Sequence, residues 1–450
     1  MFRRLFVANR GEVAARIVRA ARALDIEPVC AASTADLEAG YPYLEEAAEV
    51  VCLGPGPAAQ SYLKMEEVVQ AARQTRCSAL HPGWGFLAEN ASFASLCEQH
   101  GVGFIGPSPS VMDLMGRKVS SRTAARKAGL PVVPGSLGLL GTVEEAKKVA
   151  AEIGYPVVLK ADAGGGGRGI RRCDQESELE TAFHQATREA ESAFGNGALY
   201  LEKYLLGGRH IEIQVLGDGR GNAIHLGERE CSVQRRHQKL LEEAPSAAMT
   251  AEQRQDLGQR SASAAAQWNY AGAGTMEFLL DESGSLYFLE MNTRLQVEHP
   301  VTEMVTGIDL MEAQIRIAAG GALPCSQDQV SISGHAIELR LNAEDAEQDF
   351  RPSPGVLEEF AFPLDTPGLR VDTHLQAGSR IGTHYDSLLA KVILHRPTRE
   401  DCISGLLQVL DQVRIRGVVT TAPLHQRILQ EASFRSGAYD TLWLEALLAP

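Results

Sequence analysis

The sequence contains no C-x-x-C pair, although its 450 residues include eight cysteines, at positions 30, 52, 77, 97, 173, 231, 325 and 402. These cysteines are scattered, and no group of cysteine and histidine has the spacing of a zinc site. The pattern therefore indicates neither a disulfide framework nor a structural zinc site. Reduced thiols in a cytoplasm fit it best.

An excess of basic charge and long apolar runs are also missing. Lysine and arginine total 43 residues against 57 for aspartate and glutamate, a net charge of −14, which argues against nucleic acid as a partner. The first apolar run, residues 5 to 8, is too short for a signal peptide or a membrane span, so we expect no membrane association. The length predicts two or three domains in one folded chain.

The first strand-turn-helix pattern lacks the G-x-G-x-x-G fingerprint of dinucleotide-binding folds. "RRLFVANRGEVAARIVRAARALDI" at 3–26 nevertheless predicts a buried strand, a tight turn and an amphipathic helix. The runs "PVCAAS", "EVVCL", "CSALHP" and "GVGFIG" predict further strands. Strands that alternate with helices over the first 115 residues or so predict an open parallel sheet of the α/β class.

A Walker A loop is also absent, because no G-K-[ST] follows the glycines of "GGGGRG" at 164–169. A helix predicted over 143–153 and the strand "PVVLKA" precede this run, and Lys160 lies at the end of that strand. Such a run can be purely structural. Its backbone N–H groups can also approach phosphate oxygens, and the preceding lysine favours phosphate binding by a mobile loop.

The stretch "EMNTRLQVEH" at 290–299 has polar side chains at every second position. In an extended chain these five side chains would project to one face, while the residues between them would project to the other. The five are Glu290, Asn292, Arg294, Gln296 and Glu298. A solvated strand face is the alternative explanation.

A hairpin predicted over 274–292 favours a metal site at this row. If Ser283-Gly284 forms a two-residue turn and Glu282 pairs with Ser285, then Glu277 lies opposite Glu290. Facing carboxylates repel unless a cation lies between them, and oxygen ligands with an amide nearby suit Mg²⁺. An exposed hairpin that tolerates two glutamates is the alternative. Apolar residues on both faces argue for burial instead.

A basic cluster, "RRHQK" at 235–239, lies between acidic residues and predicts a local phosphate site. With the strand lysine, the glycine run and the carboxylate pair, it describes an ATP site outside the P-loop class.

An ordered set of motifs spans nearly the whole chain. They are "ANRGEVAARI", "HPGWGFLAEN", "FIGPS", "LMGRKVSSR", "GGGGRG", "ERECSVQRRHQKLLEEAP", "EMNTRLQVEHPVTEM", "LRLNAED" and "HYDSLLAKV". This set resembles one family, the biotin carboxylase subunit of the acetyl-CoA carboxylase type, within the ATP-grasp superfamily. The resemblance implies an N-terminal domain over 1–115, an ATP-grasp domain over 116–325 with a mobile lid at about 131–205, and a C-terminal α+β domain over 326–450.

The resemblance also implies roles for individual residues. The nucleotide is bound by Lys118 and Lys160 at the phosphates, by Gly166 and Gly167 of the flap, by Glu202, Lys203, Tyr204 and Leu205 at the adenine, and by His210, Gln234 and His237. The metal ligands are Glu277, Glu290 and Asn292. Bicarbonate and biotin are bound by Lys239, Arg294, Gln296, the Val297 backbone and Arg340, and Glu298 is the base that deprotonates bicarbonate.

The implied cofactors are ATP, Mg²⁺ or Mn²⁺, and biotin on a separate carrier protein. The implied partners are that biotin carboxyl carrier protein, carboxyltransferase subunits and a second copy of the chain. The one near match to a biotin-attachment motif, "YLKMEEV" at 62–68, lies at the head of a predicted helix, so we interpret Lys64 as a solvated lysine.

Two positions depart from the family pattern, and three alternatives stay open. Trp84 stands where tyrosine is common, which we interpret as packing, and Ala163 replaces a glycine and stiffens the entry to the flap. The alternatives are the same subunit of a pyruvate or other carboxylase, another ATP-grasp ligase, and a non-catalytic paralogue. A different ligase need not keep "RLQVEH" with Arg340, and a non-catalytic paralogue would have lost an acid or a lysine.

Overall fold

The computed structural model describes residues 1–162 and 169–449. The predicted flap residues Gly166 and Gly167, and the substituted position Ala163, lie outside the described residues. Within the described residues, no helix combines the length and apolar character needed to cross a membrane.

The N-terminal region contains five strands and six helices. They are β1 (Arg4–Val7), α1 (Gly11–Ala23), β2 (Glu27–Ser33), α2 (Thr34–Ala39), α3 (Pro42–Glu45), β3 (Glu49–Gly54), α4 (Met65–Gln74), β4 (Ala79–His81), α5 (Ala91–Gln99), β5 (Gly103–Phe104) and α6 (Pro109–Gly116). The strands form one parallel sheet in the order β3-β2-β1-β4-β5, which confirms the predicted open sheet. Gly11 has a positive φ of 67° at the turn that starts α1, a conformation that glycine adopts without strain.

The middle region holds two sheets and six helices. The elements are α7 (Lys118–Lys127), α8 (Val143–Ile153), β6 (Val157–Ala161), β7 (Ile170–Cys173), α9 (Glu176–Phe194), β8 (Leu199–Lys203), β9 (Arg209–Asp218), β10 (Ala223–Arg235), β11 (Gln238–Ala244), α10 (Ala251–Gln267), β12 (Ala271–Leu280), β13 (Leu286–Asn292), α11 (His299–Thr306) and α12 (Leu310–Ala318). A small antiparallel sheet, β7-β6-β8, packs with α8 and α9 around a core of its own. This unit falls within the predicted lid.

The C-terminal region adds strands to the large sheet. Its elements are β14 (His335–Asn342), β15 (Glu344–Asp345), β16 (Arg351–Pro352), β17 (Gly355–Val356), β18 (Glu359–Ala361), β19 (Leu369–Asp372), β20 (Arg380–Ile381), β21 (Leu388–Arg396), α13 (Arg399–Gln412), β22 (Arg414–Arg416), α14 (Ala422–Gln430), α15 (Ala432–Arg435) and α16 (Trp443–Leu448). The large sheet has the order β13-β12-β9-β10-β11-β14-β21-β19, and all its pairs are antiparallel. Because β11 pairs with β14, side chains of the middle and C-terminal regions meet on one continuous surface.

The predicted hairpin is right at its functional end and wrong at its turn. Glu277 pairs with Glu290 as predicted, but the strands are joined by a five-residue loop over 281–285, not by a two-residue turn at Ser283-Gly284. The Asp281 carboxylate widens the loop by accepting backbone N–H bonds from residues 283 and 285, each at 2.9 Å. An irregularity beside Leu289 then shifts the register back.

Candidate active site

A row of charged side chains crosses four strands of the large sheet. Arg229 on β10 pairs in register with Glu212 on β9, Glu212 pairs with Glu277 on β12, and Glu277 pairs with Glu290 on β13. Glu212 and Glu277 are buried and Glu290 is exposed. The adjacent carboxylates need cations close by, because like charges repel strongly where the dielectric is low. The protein supplies cations at one end of the row.

Arg229 is fully buried and organises that end. Its guanidinium donates to Glu212 Oε2 at 3.1 Å and to Gln296 Oε1 at 2.6 Å. Further bonds go to Gln214, Thr275 and Thr302. The N–H donors of this buried cation are thus hydrogen-bonded. The guanidinium also connects the sheet to the loop that follows β13.

Lys239, on β11, contacts three carboxylates. Its Nζ donates to Glu298 Oε1 at 2.6 Å, to Glu277 Oε1 at 3.3 Å and, at closer range, to Glu212. Although burial opposes the charged form, these carboxylates raise the pKa of Lys239 well above its ordinary value. The ammonium is therefore a fixed positive charge in the site.

Glu298 lies between two cations. Arg340 donates to Glu298 Oε2 at 2.9 Å, on the side opposite Lys239. Burial would raise the pKa of this carboxyl, but Lys239 and then Arg340 hold it well below its ordinary value. Arg340 also pairs with the fully buried Glu242, whose pKa burial raises to about 7 despite that guanidinium.

Beyond Asn292 the predicted alternation ends, because β13 stops there and residues 293–298 form a loop. The Arg294 side chain was expected beside Glu298. Its direct bonds go to Glu89 Oε2 at 2.8 Å and to Asn292 Oδ1 at 3.0 Å, although the charge of Glu298, after that of Glu89, helps to raise the pKa of Arg294. Gln296 remains in the site, where its amide donates to Glu277 Oε1 at 3.0 Å. The five polar side chains of the row thus gather in one region through a loop, not through one strand face.

The far end of the carboxylate row suits a hard divalent cation. Glu290 is exposed at the end of the row, but desolvation by the surrounding protein atoms, and then the facing Glu277 carboxylate, raise its pKa. Within residues 1–162 and 169–449, Glu290 has no ion-pair partner, although the charge of Lys118 opposes the rise. A shared cation would relieve this repulsion, and Mg²⁺ prefers oxygen ligands of this kind. The Glu277 and Glu290 carboxylates therefore fit the predicted magnesium site. The Asn292 amide N–H donates to Glu277 Oε1 at 2.8 Å and its oxygen accepts from Arg294, so the amide would have to turn to become a metal ligand.

A second group of donor atoms lies at the protected end of the row. One ligand atom each of His210, Glu212 and Glu277 lies within 4.8 Å of the others. Arg229 and Lys239 already balance Glu212. Although burial opposes it, Glu277 raises the pKa of His210, whose Nε2 lies 3.1 Å from Glu277 Oε2. The Glu277 carboxylate thus favours the protonated form of the His210 ring.

Several of the predicted nucleotide residues lie on the small sheet and at the start of α7. Lys160 on β6 donates to Glu202 Oε2 on β8 at 2.6 Å, and the Val119 N–H donates to Asp162 at 3.0 Å. The second contact connects the end of β6 to the start of α7, where Lys118 lies. The Lys203 Nζ instead donates to the carbonyls of residues 154 and 155.

The side chains of the remaining nucleotide candidates range from half-buried to buried and exposed. Tyr204 packs against the Arg172 guanidinium at 4.5 Å, and Leu205 is half-buried. Gln234 is buried near the end of β10, opposite Lys239. His237 is exposed in the tight turn between β10 and β11, at a φ of 65°. The basic cluster is therefore a hairpin tip.

Four residues that contact the predicted site residues were missed from the sequence, namely Glu89, Glu212, Arg229 and Glu242. Glu212 had a recognisable signal, since "HIEIQV" at 210–215 places polar side chains at every second position of an otherwise apolar strand. Glu242 shows no such alternation, because it lies beside Glu243, and only the fold brings it to Arg340.

Comparisons with known proteins agree with this geometry. The family model of the biotin carboxylase N-terminal domain matches residues 1–112, that of the carbamoyl-phosphate synthase L chain ATP-binding domain matches 117–326, and that of the biotin carboxylase C-terminal domain matches 338–446.

Full-length relatives give the same result. A biotin carboxylase of Nostoc is 48% identical over 446 residues, which are 99% of each chain. A chloroplastic biotin carboxylase of Populus trichocarpa is 50% identical over 441 residues, 98% of this chain and 83% of that protein.

Among solved structures, the biotin carboxylase domain dimer of the Hydrogenobacter thermophilus 2-oxoglutarate carboxylase, in complex with MgADP, ADP and bicarbonate, has a TM-score of 0.92 at 49% identity. The match covers 99% of this chain and 98% of that one. The chain therefore belongs to the biotin carboxylase family of ATP-dependent carboxylating ligases.

Proposed function

We propose that this chain uses ATP and bicarbonate to carboxylate biotin on a separate carrier protein, as the first half-reaction of an acyl-CoA carboxylase, with acetyl-CoA as the favoured acceptor. The observation that carries the proposal is the Glu298 carboxylate held between Lys239 and Arg340. This arrangement combines two cationic donors for an anion with a base beside them.

The low pKa of Glu298 makes it a weak base while both cations bind it. A bicarbonate anion that accepts hydrogen bonds from Lys239 and Arg340 draws these donors away from Glu298. The pKa of Glu298 then rises towards its ordinary value, so the carboxylate becomes a base when the substrate is in place. Substrate binding and base activation are thereby coupled.

The remaining steps need positioning and charge stabilisation. After Glu298 removes the bicarbonate proton, the substrate oxygen attacks the γ-phosphorus of ATP, ADP leaves, and carboxyphosphate forms. Carboxyphosphate breaks into CO₂ and phosphate, and the N1′ atom of biotin captures the CO₂ with loss of its proton to the phosphate. Glu277, Glu290 and Asn292 would hold Mg²⁺, which would neutralise part of the phosphate charge. Lys118 and Lys160 hold the phosphates by their charges.

The direct test is incorporation of labelled bicarbonate into a biotinylated carrier domain in the presence of MgATP. We expect ADP release to depend on both bicarbonate and biotin. An ATP turnover that ignores bicarbonate would instead support another ligase of the ATP-grasp type.

The acyl acceptor is the finer part of the proposal, since similar solved structures come from a 2-oxoglutarate carboxylase and from a pyruvate carboxylase. We propose acetyl-CoA carboxyltransferase subunits as partners in a cytoplasm, where the eight unpaired cysteines among the described residues would stay reduced. Identification of the transferase that co-purifies tests this choice, because a transferase for pyruvate or 2-oxoglutarate would identify that compound as the acceptor.

We also propose the domain limits 1–115, 116–325 and 326–450.

The chain should carry no biotin of its own. Lys64 precedes α4 and pairs with Glu67 at 3.1 Å, and both side chains are exposed. It is not placed in a hairpin like that of a biotin-attachment domain. We expect a streptavidin blot of the purified chain to be negative, with the biotinylated carrier as positive control. A stoichiometric adduct would contradict the proposal of a separate carrier.

We also expect a homodimer, in agreement with the dimer formed by the Hydrogenobacter domain. The chain has a mass of 48.5 kDa. Sedimentation velocity at micromolar concentration should show a species of twice that mass. Observation of monomer alone at that concentration would contradict this expectation.

A further inference from the structure

Lys391 on β21 is the one fully buried lysine of the described residues, and the reaction as derived above does not use it. It pairs in register with Arg340 on β14 and with Asp372 on β19. Its Nζ donates to the Val297 carbonyl at 3.0 Å and lies 3.1 Å from Glu12 Oε1. A buried ammonium is costly unless it is paired, so its contacts call for explanation.

The carboxylates around Lys391 balance its charge. Glu12, at the start of α1, is buried, and its pKa is raised by burial against the effect of Lys391. Asp372, 3.9 Å from Nζ, is also bonded by Arg19 and Arg370. These acids stabilise the ammonium, while the Val297 carbonyl is the contact through which it reaches the site.

Trp84 covers the same ammonium. The indole ring centre lies 5.0 Å from Lys391 Nζ, and the backbone of residue 84 is fixed by a 2.8 Å bond from the Asn9 amide to its carbonyl. Among aromatic rings, the indole attracts a cation best. The tryptophan that departs from the family pattern therefore has a specific contact here, beyond packing.

The held carbonyl belongs to the peptide that joins Val297 to Glu298. On the other side of the turn, His299 Nδ1 lies 2.8 Å from the Gln296 carbonyl, so the turn is anchored on both sides of Glu298. A change in the tilt of the 297–298 peptide would move the Glu298 carboxylate relative to Lys239 and Arg340.

We propose that Lys391, covered by Trp84, is a positioning residue that fixes the Val297–Glu298 peptide and so places the carboxylate of Glu298 for proton removal from bicarbonate. This inference rests on the proposed function, because it assumes that Glu298 is the base. Lys391 does not touch the substrate and acts through the backbone.

The test compares Lys391→Met with the double variant Lys391→Met/Glu12→Gln. Methionine keeps the buried stem, and the second change removes the carboxylate that the first leaves unbalanced. We expect kcat for bicarbonate-dependent ADP release to fall about a hundredfold in the double variant, as for a misplacement of about 1 Å. The KM for bicarbonate should rise, while the Kd for ATP stays within about twofold, since the nucleotide residues are untouched.

Trp84→Leu should lower kcat about tenfold, and Trp84→Tyr should restore most of it. Lys64→Met is the matched control, because it removes a lysine with the same 3.1 Å carboxylate distance at the exposed surface. A double variant that folds and keeps kcat and the bicarbonate KM within about threefold would overturn the inference. A parallel loss of ATP affinity would also overturn it, by showing a general structural role.

Hydrogen exchange separates this inference from the proposed function. Backbone amides of the segment 293–299 should exchange faster in the double variant than in the wild type and in Lys64→Met. This readout does not depend on activity. Unchanged exchange in the double variant would overturn the positioning role. If exchange is faster in the double variant but the wild type itself shows no bicarbonate-dependent turnover, only the proposed function is rejected.

Discussion

Replacement of Glu298 by glutamine is expected to lower bicarbonate-dependent ADP release in the presence of biotin by roughly two to four orders of magnitude, the range for loss of a general base. Glutamine keeps the size, and its single amide oxygen can still accept from either Lys239 or Arg340, which bind different oxygens of Glu298. It cannot take the bicarbonate proton. ATP should therefore still bind with near wild-type affinity. Steady-state kinetics with and without biotin, together with a nucleotide titration, measure both effects.

The competing explanation is that Glu298 only balances buried charge. Glu243→Gln is a matched control, because Glu243 is equally enclosed and is bonded by His335 and Arg399. Burial notwithstanding, His335 and Arg399 lower the pKa of Glu243 to about 2. Loss of stability without loss of turnover is expected for this control. If Glu298→Gln keeps turnover within about threefold, well short of the range for a base, Glu298 is not the base.

Both carboxylates make a stability contribution with the same pH dependence. Each folded-state pKa lies below that of an unfolded glutamate, about 4.3, so each charged form is stabilised by folding. The contribution is present above that unfolded value and is lost as the pH falls through the folded one. The stability difference between wild type and either glutamine variant should therefore shrink on acidification, and thermal unfolding at several pH values measures it.

The parallel sheet and the long helices could be predicted from the sequence because their signals are local. The helix Val143–Ile153 has the bounds given by its pattern, and the first five strands coincide with short apolar runs. A strand with apolar neighbours on both sides and a helix with one apolar face leave few alternatives.

The pairing of Glu277 with Glu290 was predicted correctly through two errors that cancel. The loop is wider than two residues because Asp281 accepts several hydrogen bonds within it, and the irregularity beside Leu289 then restores the register. An Asp side chain that reorganises a turn is a local effect, but a bulge depends on how two strands twist together. The sequence shows no separate signal for it.

The partners of Arg294 could not be predicted because they depend on distant segments. Two cationic partners for Glu298 were expected and are present. The third, Arg294, acts on Glu298 only through its charge, because its direct ion pair is with Glu89, which is 205 positions away in sequence. Arg229 instead contributes to the low pKa of Glu298. Proximity in sequence ceases to imply proximity in space once a strand ends in a loop.

Glu290→Gln is expected to reduce Mg²⁺-dependent ATP turnover by more than the roughly 10- to 100-fold that loss of an outer partner of a metal site costs. Glu290 has no cation paired with it within the described residues, so its charge is available for the metal. Because the defect is in metal affinity, higher Mg²⁺ concentrations should recover part of the activity. Titration of turnover against Mg²⁺ measures the shift.

Glu277→Gln should be at least as damaging and less recoverable by Mg²⁺, because Glu277 also holds Lys239 and His210 in the site. The matched control is Glu282→Gln, which removes an exposed carboxylate from the loop of the same hairpin and should leave the Mg²⁺ dependence unchanged. Circular dichroism and thermal unfolding establish that each variant folds. A folded Glu277→Gln/Glu290→Gln double variant with normal turnover at low Mg²⁺ would show that the facing carboxylates do not bind the metal, and the cation would then have to be placed elsewhere in the site.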